Sequence, residues 1–506
     1  MICDDQTEVS AFLTDPTTFN APVEEIDTHI SRIFLAGTRV YKLKRAVKLP
    51  YADFSTPEIR LAACEKELVL NGPHAPGLYL AVRRITRTAS GLEFDGAGGL
   101  VDAVVEMQRF DQDSLFDDLA THGKLTPDLM TAVAREIARF HTAAPVVQDG
   151  TGADNLAGVL DINRAGFHTS SVFSETQIDT LDTAFRTALD RHEMLLNQRA
   201  SQGTIRRCHG DLHLRNICLF NGQPTLFDCI EFNDQIATID VLYDLAFLLM
   251  DLWHRDLHDL ANLTANRYFD AIGTDDGFVL LPFLMALRAA VRSHVTATLS
   301  EDTNSQDQIA EARAYYDLAL SLLTRQHPTS VVIGGLSGTG KTTISEALAP
   351  RIAPPPGARI VESDRTRKAL FNVSSETRLP DTAYAPHVSD QVYQRMADRA
   401  VAILTSGAPV IVDAVFDKAD RRAAIDQTLQ QAGHQVYGIL LQASPDTLRK
   451  RVKARVGGPS DATVEVLERQ LHRDAGPISW TVIRSDRPVQ DVVTDILAHL
   501  RPAPNA

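Results

Sequence analysis

Residues Gly335–Thr342 read Gly-Leu-Ser-Gly-Thr-Gly-Lys-Thr, directly after a short β-branched run, Ser330–Ile333. Glycines at both ends let backbone N–H groups converge on phosphate oxygens. The lysine adds a point charge, and the final hydroxyl can ligate Mg2+. Such a loop joins a strand to the helix it opens, so it predicts an α/β unit. The sequence beyond it agrees. Arg359–Glu362, Pro409–Val412 and Val436–Gln442 read as strands, with helical patterns up to Leu370, over Gln391–Thr405 and up to Gly433. Alternating strands and helices imply a parallel sheet covered on both faces. A Gly-rich turn beside a helix is the bland alternative, and the strand before the loop and the helical pattern after it argue against it.

The residues expected to hold nucleotide phosphates are Gly335, Leu336, Ser337, Gly338, Thr339, Gly340, Lys341, Thr342 and Thr343. Lys341 reaches the β and γ phosphates and Thr342 the metal. Functional groups in open α/β sheets lie beyond the carboxyl ends of strands. Asp364 follows the second strand and is placed to take a proton from an attacking hydroxyl, with Arg367 holding the substrate; an Asp here also suits a helix N-cap. Asp413 ends an apolar strand and is placed to bind Mg2+ through water. Arg449, Arg451 and Arg455 fall on a predicted helix, where Arg451 and Arg455 share one face and could close over phosphates; a solvated basic face is the alternative.

A second constellation stands in the other half. His209-Gly210-Asp211-Leu212-His213-Leu214-Arg215-Asn216 is followed by Asp228. Asp211 and Asn216 have the spacing of a catalytic loop in which the carboxylate orients and deprotonates an acceptor hydroxyl and the amide holds Mg2+. Asp228, on the far side of a hairpin turning at Asn221-Gly222, would be the second metal ligand. A site made by His209 and His213 lacks a third nitrogen or sulfur ligand nearby and leaves the Asp/Asn pattern unexplained.

Around this motif the order of elements is that of a small β lobe followed by a helical one. A hairpin is expected around Gly37, a helix over Thr56–Asn71, and strands over Tyr79–Ile85 and Val101–Met107. Helices are expected over Leu129–His141, Ser174–Arg199 and most of 238–325. The predicted fold is therefore an α+β kinase-like N-terminal domain over 1–327, followed by an α/β P-loop NTPase domain with a parallel sheet over 328–506.

Composition narrows the partners. The formal charge of −15 argues against a nucleic-acid partner, which needs a basic surface, although a local basic groove is compatible with one. Five cysteines without a C-x-x-C pair fit a reducing cytoplasm. The most apolar stretches, Val241–Trp253 and Phe278–Val291, are broken by Asp244, Asp251, Pro282 and Arg288 and are expected to fall short of membrane-spanning length. No membrane partner is expected, and oligomeric state stays open.

The C-terminal motifs, over about 329–500, resemble small P-loop kinases of the polynucleotide-kinase and gluconate-kinase type. The resemblance rests on the P-loop, Asp364-x-x-Arg367, Val410–Arg422 and the arginines of the 449–455 helix. It implies Asp364 as general base, Arg367 on the acceptor, and Arg451 and Arg455 on ATP. The stretch 208–246, including Asp240 and Tyr243-Asp244-Leu245-Ala246, resembles aminoglycoside phosphotransferases, roughly over 25–325. That resemblance implies a supporting role for Asp244 and a strand lysine paired with a helix glutamate to hold ATP. Lys42 or Lys44 could be the lysine, since alternation puts both on one face, and Glu67 or Glu65 the glutamate. It also makes Glu106-Met107 the segment that receives adenine. Two departures stand out: no Gly-rich loop precedes Lys42, and Cys229-Ile230 follows Asp228.

The whole resembles bacterial fusions of an aminoglycoside-phosphotransferase-like domain with an AAA-type P-loop kinase. The implied activity is bifunctional transfer of the γ-phosphoryl of ATP, with Mg2+, to hydroxyls of small molecules at two sites. The alternatives are a single C-terminal kinase, for a small molecule or a polynucleotide 5′-hydroxyl, with a binding or regulatory N-terminal module.

Overall fold

A computed structural model describes residues 4–49, 52–147, 152–303, 305–454 and 458–500. By packing, the chain forms two compact units, 1–158 with 193–251, and 159–192 with 252–506. The boundary expected at 327/328 divides the chain by motif; by packing, the helices beyond 252 belong with the P-loop unit.

The first unit is built on six strands: β1 (Val23–Asp27), β2 (Ser31–Ala36), β3 (Arg39–Lys44), β4 (Tyr79–Thr88), β5 (Gly91–Phe94) and β6 (Gly99–Gln108). They form one antiparallel sheet in the order β1-β2-β3-β6-β4-β5. Period-2 alternation gives the sheet two apolar faces. Leu35, Val40, Ala103 and Val105 pack with Cys64 of helix Pro57–Asn71. Phe34, Tyr41, Leu43 and Val104 pack with Val9 and Leu13 of helix Thr7–Thr14. That helix, β1 and β5 lie outside the elements expected from the sequence. Full burial of Leu13 contributes about 2 kcal/mol. Helix Pro57–Asn71 begins where Thr56 accepts the Ile59 N–H, with proline at its first turn. It carries Glu67 on its buried side, under β3.

Beyond the sheet, helix Pro127–Ala143 and the hairpin β8 (Ile217–Phe220) and β9 (Gln223–Leu226) flank the catalytic-type loop. Short strands β7 (Ile205–Arg207) and β10 (Thr238–Asp240) pair antiparallel just ahead of that loop and of helix Val241–His254.

The second unit holds a parallel sheet of β11 (Ser330–Gly334), β12 (Arg359–Glu362), β13 (Val410–Asp413), β14 (Val436–Gln442) and β15 (Thr481–Arg484), in the order β12-β13-β11-β14-β15. Val331, Ile333, Ile411, Ile439 and Leu441 form its core with Ile344 and Leu348 of helix Lys341–Leu348 and with Val492 and Ile496 of helix Val489–Leu500. The central strands are buried on both faces, as a parallel sheet requires. Helix His258–Ile272 covers the β12 edge. Asn266 Oδ1 accepts the Ile360 N–H at 2.7 Å, and Asn262 Nδ2 donates to the Pro356 and Ala358 carbonyls. These amides satisfy backbone groups that an open edge would expose.

One expectation needs correcting. The segment Phe278–Glu301 is long and apolar enough to cross a membrane, with mean hydropathy 1.4, but 72% of its apolar 18-residue window is buried inside the fold. It packs against helix Gln306–Leu323, where Ser293 Oγ donates to the Ala312 carbonyl. Its apolarity is that of a core helix.

Candidate active sites

In the first unit two buried carboxylates hold the catalytic-type loop, Asp244 at its start and Asp251 at the Leu214 N–H. Asp244 Oδ2 accepts the His209 N–H at 3.0 Å and Oδ1 the Gly210 N–H at 2.9 Å, while His141 Nε2 lies 3.1 Å from Oδ2. Gly210 has φ +86, and a Cβ there would lie 3.1 Å from Ala237 and Ile230 side-chain atoms, so the turn suits glycine. His209 Nδ1 accepts the Asp211 N–H and Nε2 donates to the Phe227 carbonyl at 2.9 Å. The ring is therefore neutral with its proton on Nε2, and burial lowers its pKa further. This bonding makes His209 a brace between the loop and the strand end, with both nitrogens engaged and neither left for a metal. The loop presents Asp211, whose side chain is 41% exposed. Asn216 Nδ2 donates to Asp211 Oδ2 at 3.0 Å and to the Asp211 carbonyl at 2.9 Å, so the two residues five apart do meet.

Asp228 follows β9 with φ +65, its N–H donating to Tyr79 Oη at 3.1 Å. Its carboxylate pairs with Lys42 Nζ. Lys42 also donates to Glu67 Oε1 at 2.9 Å, and Lys44 Nζ lies 2.5 Å from Glu67 Oε2 and pairs with Glu231. The alternation that left Lys42 and Lys44 open places both against Glu67, one on each oxygen. Only Lys42 reaches Asp228. Burial alone would push the Glu67 carboxyl up; the two ammonium groups reverse this and hold it at about 2. Burial opposes the charge of Lys42, but Asp228 and then Glu67 raise its pKa well above the usual lysine range. Glu65, the other candidate, is exposed.

Glu106-Met107 lies inside β6, in register with Tyr41 and Val40 on one side and Ala81 and Tyr79 on the other. Strand pairing therefore claims its backbone on both sides, and the Glu106 side chain pairs with Arg83 at 3.0 Å and Arg39 at 3.4 Å. The segment that leaves the sheet comes after Gln108, which corrects the adenine assignment.

In the second unit the P-loop runs from β11 into helix Lys341–Leu348. Lys341 Nζ rests on the Leu336 carbonyl at 3.4 Å, inside the loop it would leave for a phosphate. Ser337 N–H donates to Gln470 Oε1 at 2.9 Å. Thr342 Oγ1 lies 3.1 Å from Asp413 Oδ2 and 3.2 Å from Glu362 Oε1. Sequence reasoning took Glu362 only as a strand end. Its parallel register with Asp413 is the signal that could have found it.

Glu362 and Asp413 are fully buried acids beside a hydroxyl. Burial pushes Glu362 up to about 8, with Arg365 opposing and Asp413 adding to the shift. Burial pushes Asp413 up to about 6, against Lys341 and Thr342. Two carboxylates and a hydroxyl form the hard oxygen donor set that suits Mg2+.

Asp364 stands beyond β12. Burial raises its pKa, while a hydrogen bond from Ser460 and the charges of Lys341 and Arg367 oppose that. Arg367 is buried, donates to the Ala383 carbonyl at 2.7 Å and lies 4.7 Å from the Tyr384 ring centroid. Asp461 joins this region from another segment, accepting from Leu379 N–H at 3.1 Å and Tyr384 Oη at 2.6 Å and lying 3.3 Å from Lys368 Nζ.

On helix Pro445–Ala454, Arg451 reaches the P-loop carbonyl of Gly338 at 3.4 Å and that of Ser485 at 3.0 Å. Arg449 instead forms an exposed ion pair with Glu468 at 2.7 Å. Arg455 lies outside the described residues.

A catalytic loop with a strand lysine–glutamate pair in one unit, and a strand–P-loop–helix with acids at neighbouring strand ends in the other, define a chain of two kinase-like domains. Residues 89–279 match the phosphotransferase enzyme family, and residues 331–477 match an AAA domain. The chain is thus an ATP-dependent phosphotransferase that carries a phosphotransferase-enzyme-family domain and a P-loop domain of the AAA type. Uncharacterized proteins of Mycobacterium bovis and Mycobacterium tuberculosis are 28% identical to it over 471 residues, covering 91% of this chain and 92% of theirs. Among solved structures, a choline/ethanolamine kinase family protein from Mesorhizobium loti is similar at 14% identity, covering 62% of this chain and 94% of its own, with TM-score 0.40. A gluconokinase from Sinorhizobium meliloti is similar at 23% identity, covering 34% of this chain and 92% of its own, with TM-score 0.24.

Proposed function

We propose that the chain is bifunctional and transfers the γ-phosphoryl of ATP to hydroxyl groups of small molecules at two separate sites. The observation that carries this reading is that each unit holds its own set of phosphate, metal and proton-handling groups. In the first unit, Lys42, held by Glu67, grips phosphates, Asn216 and Asp228 hold Mg2+, and Asp211 orients the acceptor hydroxyl. In the second, the P-loop with Lys341 binds the β and γ phosphates. Thr342, Asp413 and Glu362 surround Mg2+, Asp364 takes the acceptor proton, and Arg367 contacts the acceptor. Arg451 supports the nucleotide side. Mg2+ offsets charge on the transferred phosphoryl, while the carboxylate of each site orients the nucleophile. The cytoplasm is the proposed setting; the described cysteines Cys64, Cys208, Cys218 and Cys229 are free and buried.

A second reading keeps only the P-loop enzyme and makes the first unit a binding module. It is favoured by the link between β1 and β2, Thr28-His29-Ile30, which has no glycine to wrap a nucleotide. Mg·ATP consumption by the full chain, Lys341→Ala, Asp211→Ala and the double variant, across sugars, aminoglycosides, nucleosides and oligonucleotides, separates the two. Loss of a different acceptor in each single variant supports two enzymes. An inert Asp211→Ala with all turnover lost in Lys341→Ala supports the second reading.

A further inference from the structure

Helix His258–Ile272 lies outside the stretch that matches the AAA domain and inside the stretch that matches the phosphotransferase enzyme family, yet its charged side chains converge on the P-loop site. Asp270 is the centre of that convergence. Its Oδ1 accepts from Arg359 Nη2 at 2.6 Å, and its Oδ2 lies 3.3 Å from Arg267 Nη1 and 3.7 Å from Arg365 Nη1. Arg365 in turn donates from Nε to Glu362 Oε2 at 3.0 Å. Arg267 pairs through its other nitrogen with Glu346, on the helix the P-loop opens. The opposite oxygen of Glu362 faces Thr342. A chain of contacts thus runs from Asp270 through Arg365 to the buried carboxylate at the Mg2+ position.

The arrangement poses an electrostatic problem. Arg365 is 14% exposed and stands beside an acid that must present negative charge to a cation. An unrestrained guanidinium would close on Glu362 with two of its nitrogens, since bidentate pairing is its preferred geometry. Asp270 opposes that closure: its Oδ2 stands 3.7 Å from Nη1 and attracts the guanidinium, whose described hydrogen bond to Glu362 is made by Nε alone. Asp275 is the natural contrast. It binds Arg359 at 2.9 Å and Arg399 at 2.7 Å in the same cluster but has no described contact with Arg365.

Resting on the proposed role of Glu362, we infer that Asp270 is a positioning residue of the P-loop site, supplied from outside the P-loop domain's own sequence, which keeps Arg365 from competing with Mg2+ for Glu362. The P-loop reaction then depends on a helix that a cut at residue 328 would remove.

The test is Mn2+ binding in the presence of a non-hydrolysable ATP analogue, followed by the loss of the free-ion electron paramagnetic resonance signal. Full chains carrying Asp228→Asn are used, so that only the P-loop site contributes. Asp270→Asn should weaken the Mn2+ half-saturation by roughly ten-fold, through loss of a nearby negative charge and closure of Arg365 on Glu362. Arg365→Gln should tighten it. Asp275→Asn should lower the melting temperature and leave Mn2+ half-saturation unchanged. Unchanged binding in Asp270→Asn, or equal weakening in Asp270→Asn and Asp275→Asn, overturns the inference while the site stands. A parent chain with no nucleotide-dependent Mn2+ binding that Lys341→Ala removes overturns the reading of the P-loop site and the inference with it.

Discussion

Glu362 and Asp413 are direct partners in the parallel register of β12 and β13, and their carboxylates meet at one hydroxyl, Thr342 Oγ1. Both acids are buried side by side, and burial, only partly opposed by Arg365 at Glu362 and by Lys341 at Asp413, lifts both pKa values.

That relationship sets a pH dependence. Glu362 titrates near 4.5 when unfolded and at about 8 when folded. The folded state therefore binds more protons between those values, so stability falls as pH rises through that window. Melting temperatures in chelator should decline from pH 5 to pH 8, with Asp413 adding to the fall below its folded value of about 6. Mg2+ should restore stability at pH 8. Glu362→Gln should flatten the decline and lower phosphoryl transfer at the P-loop site by about 100-fold, or about 2.7 kcal/mol of barrier. A Glu362→Gln chain with the parent's pH profile would contradict the shared-pocket account.

Lys42 and Lys44 grip the two oxygens of Glu67, but their consequences should differ. Lys42→Met removes the cation that also meets Asp228 and should abolish Mg·ATP binding at the first site, leaving Glu67 still paired with Lys44. Lys44→Met leaves buried Glu231 without its ammonium partner and Glu67 with only Lys42, and should cost about 3–5 kcal/mol of stability. Nucleotide titration beside denaturant unfolding of the two variants checks this. Similar unfolding midpoints would show that Lys44 is not the structural member.

At Gly338, φ is +88 and an added Cβ would lie 2.8 Å from the Leu448 carbonyl oxygen, which is backbone and has little room to yield. Gly338→Ala should therefore distort the P-loop rather than the sheet beneath it. We expect ATP affinity at that site to fall at least ten-fold, while the melting temperature drops by the equivalent of about 1–2 kcal/mol, the cost of a left-handed alanine. Isothermal titration with ATP in the Asp228→Asn background reads the first quantity and calorimetry the second.

These cases also show what the sequence could and could not reveal. The P-loop, the Asp211/Asn216 pair and the β-α alternation were legible because spacing alone imposes their geometry. Lys42 and Lys44 were not separable, because period-2 alternation gives both the same face and only distant partners, Asp228 for Lys42 and Glu231 for Lys44, tell them apart. Glu362 was passed over because a carboxylate at a strand end gains meaning only from its neighbour strand, and parallel register is set by contacts 51 positions apart in Glu362 and Asp413. Glu106-Met107 misled for a related reason: an apolar strand with an acidic residue gives no sign of where backbone pairing stops. The Asp270 cluster lay further from view, since its members are single charges scattered over several helices, a turn and the two ends of β12.

Asp244 carries the last prediction. One buried carboxylate accepts two successive N–H groups at His209 and Gly210 and touches His141 Nε2. An anion that takes these bonds fixes the turn from which Asp211 projects, so its removal leaves two buried amide protons without their acceptor. Asp244→Ala should destabilise the first unit by about 3–5 kcal/mol, as loss of a buried hydrogen-bonded charge does. Asp244→Asn separates support from charge. Its amide can still accept one N–H through oxygen, but its NH2 faces the other donor, so half the anchoring is lost and stability should fall by only about 1–3 kcal/mol. If Asp244 acts through loop position, turnover at the Asp211 site should fall more in Asp244→Asn than ATP affinity does, because Lys42 and Glu67 lie on β3 and on the helix under the sheet and are untouched. Amide hydrogen exchange at His209 and Gly210 would report the freed turn directly; full protection at both in Asp244→Asn would show that the loop holds its shape without this carboxylate.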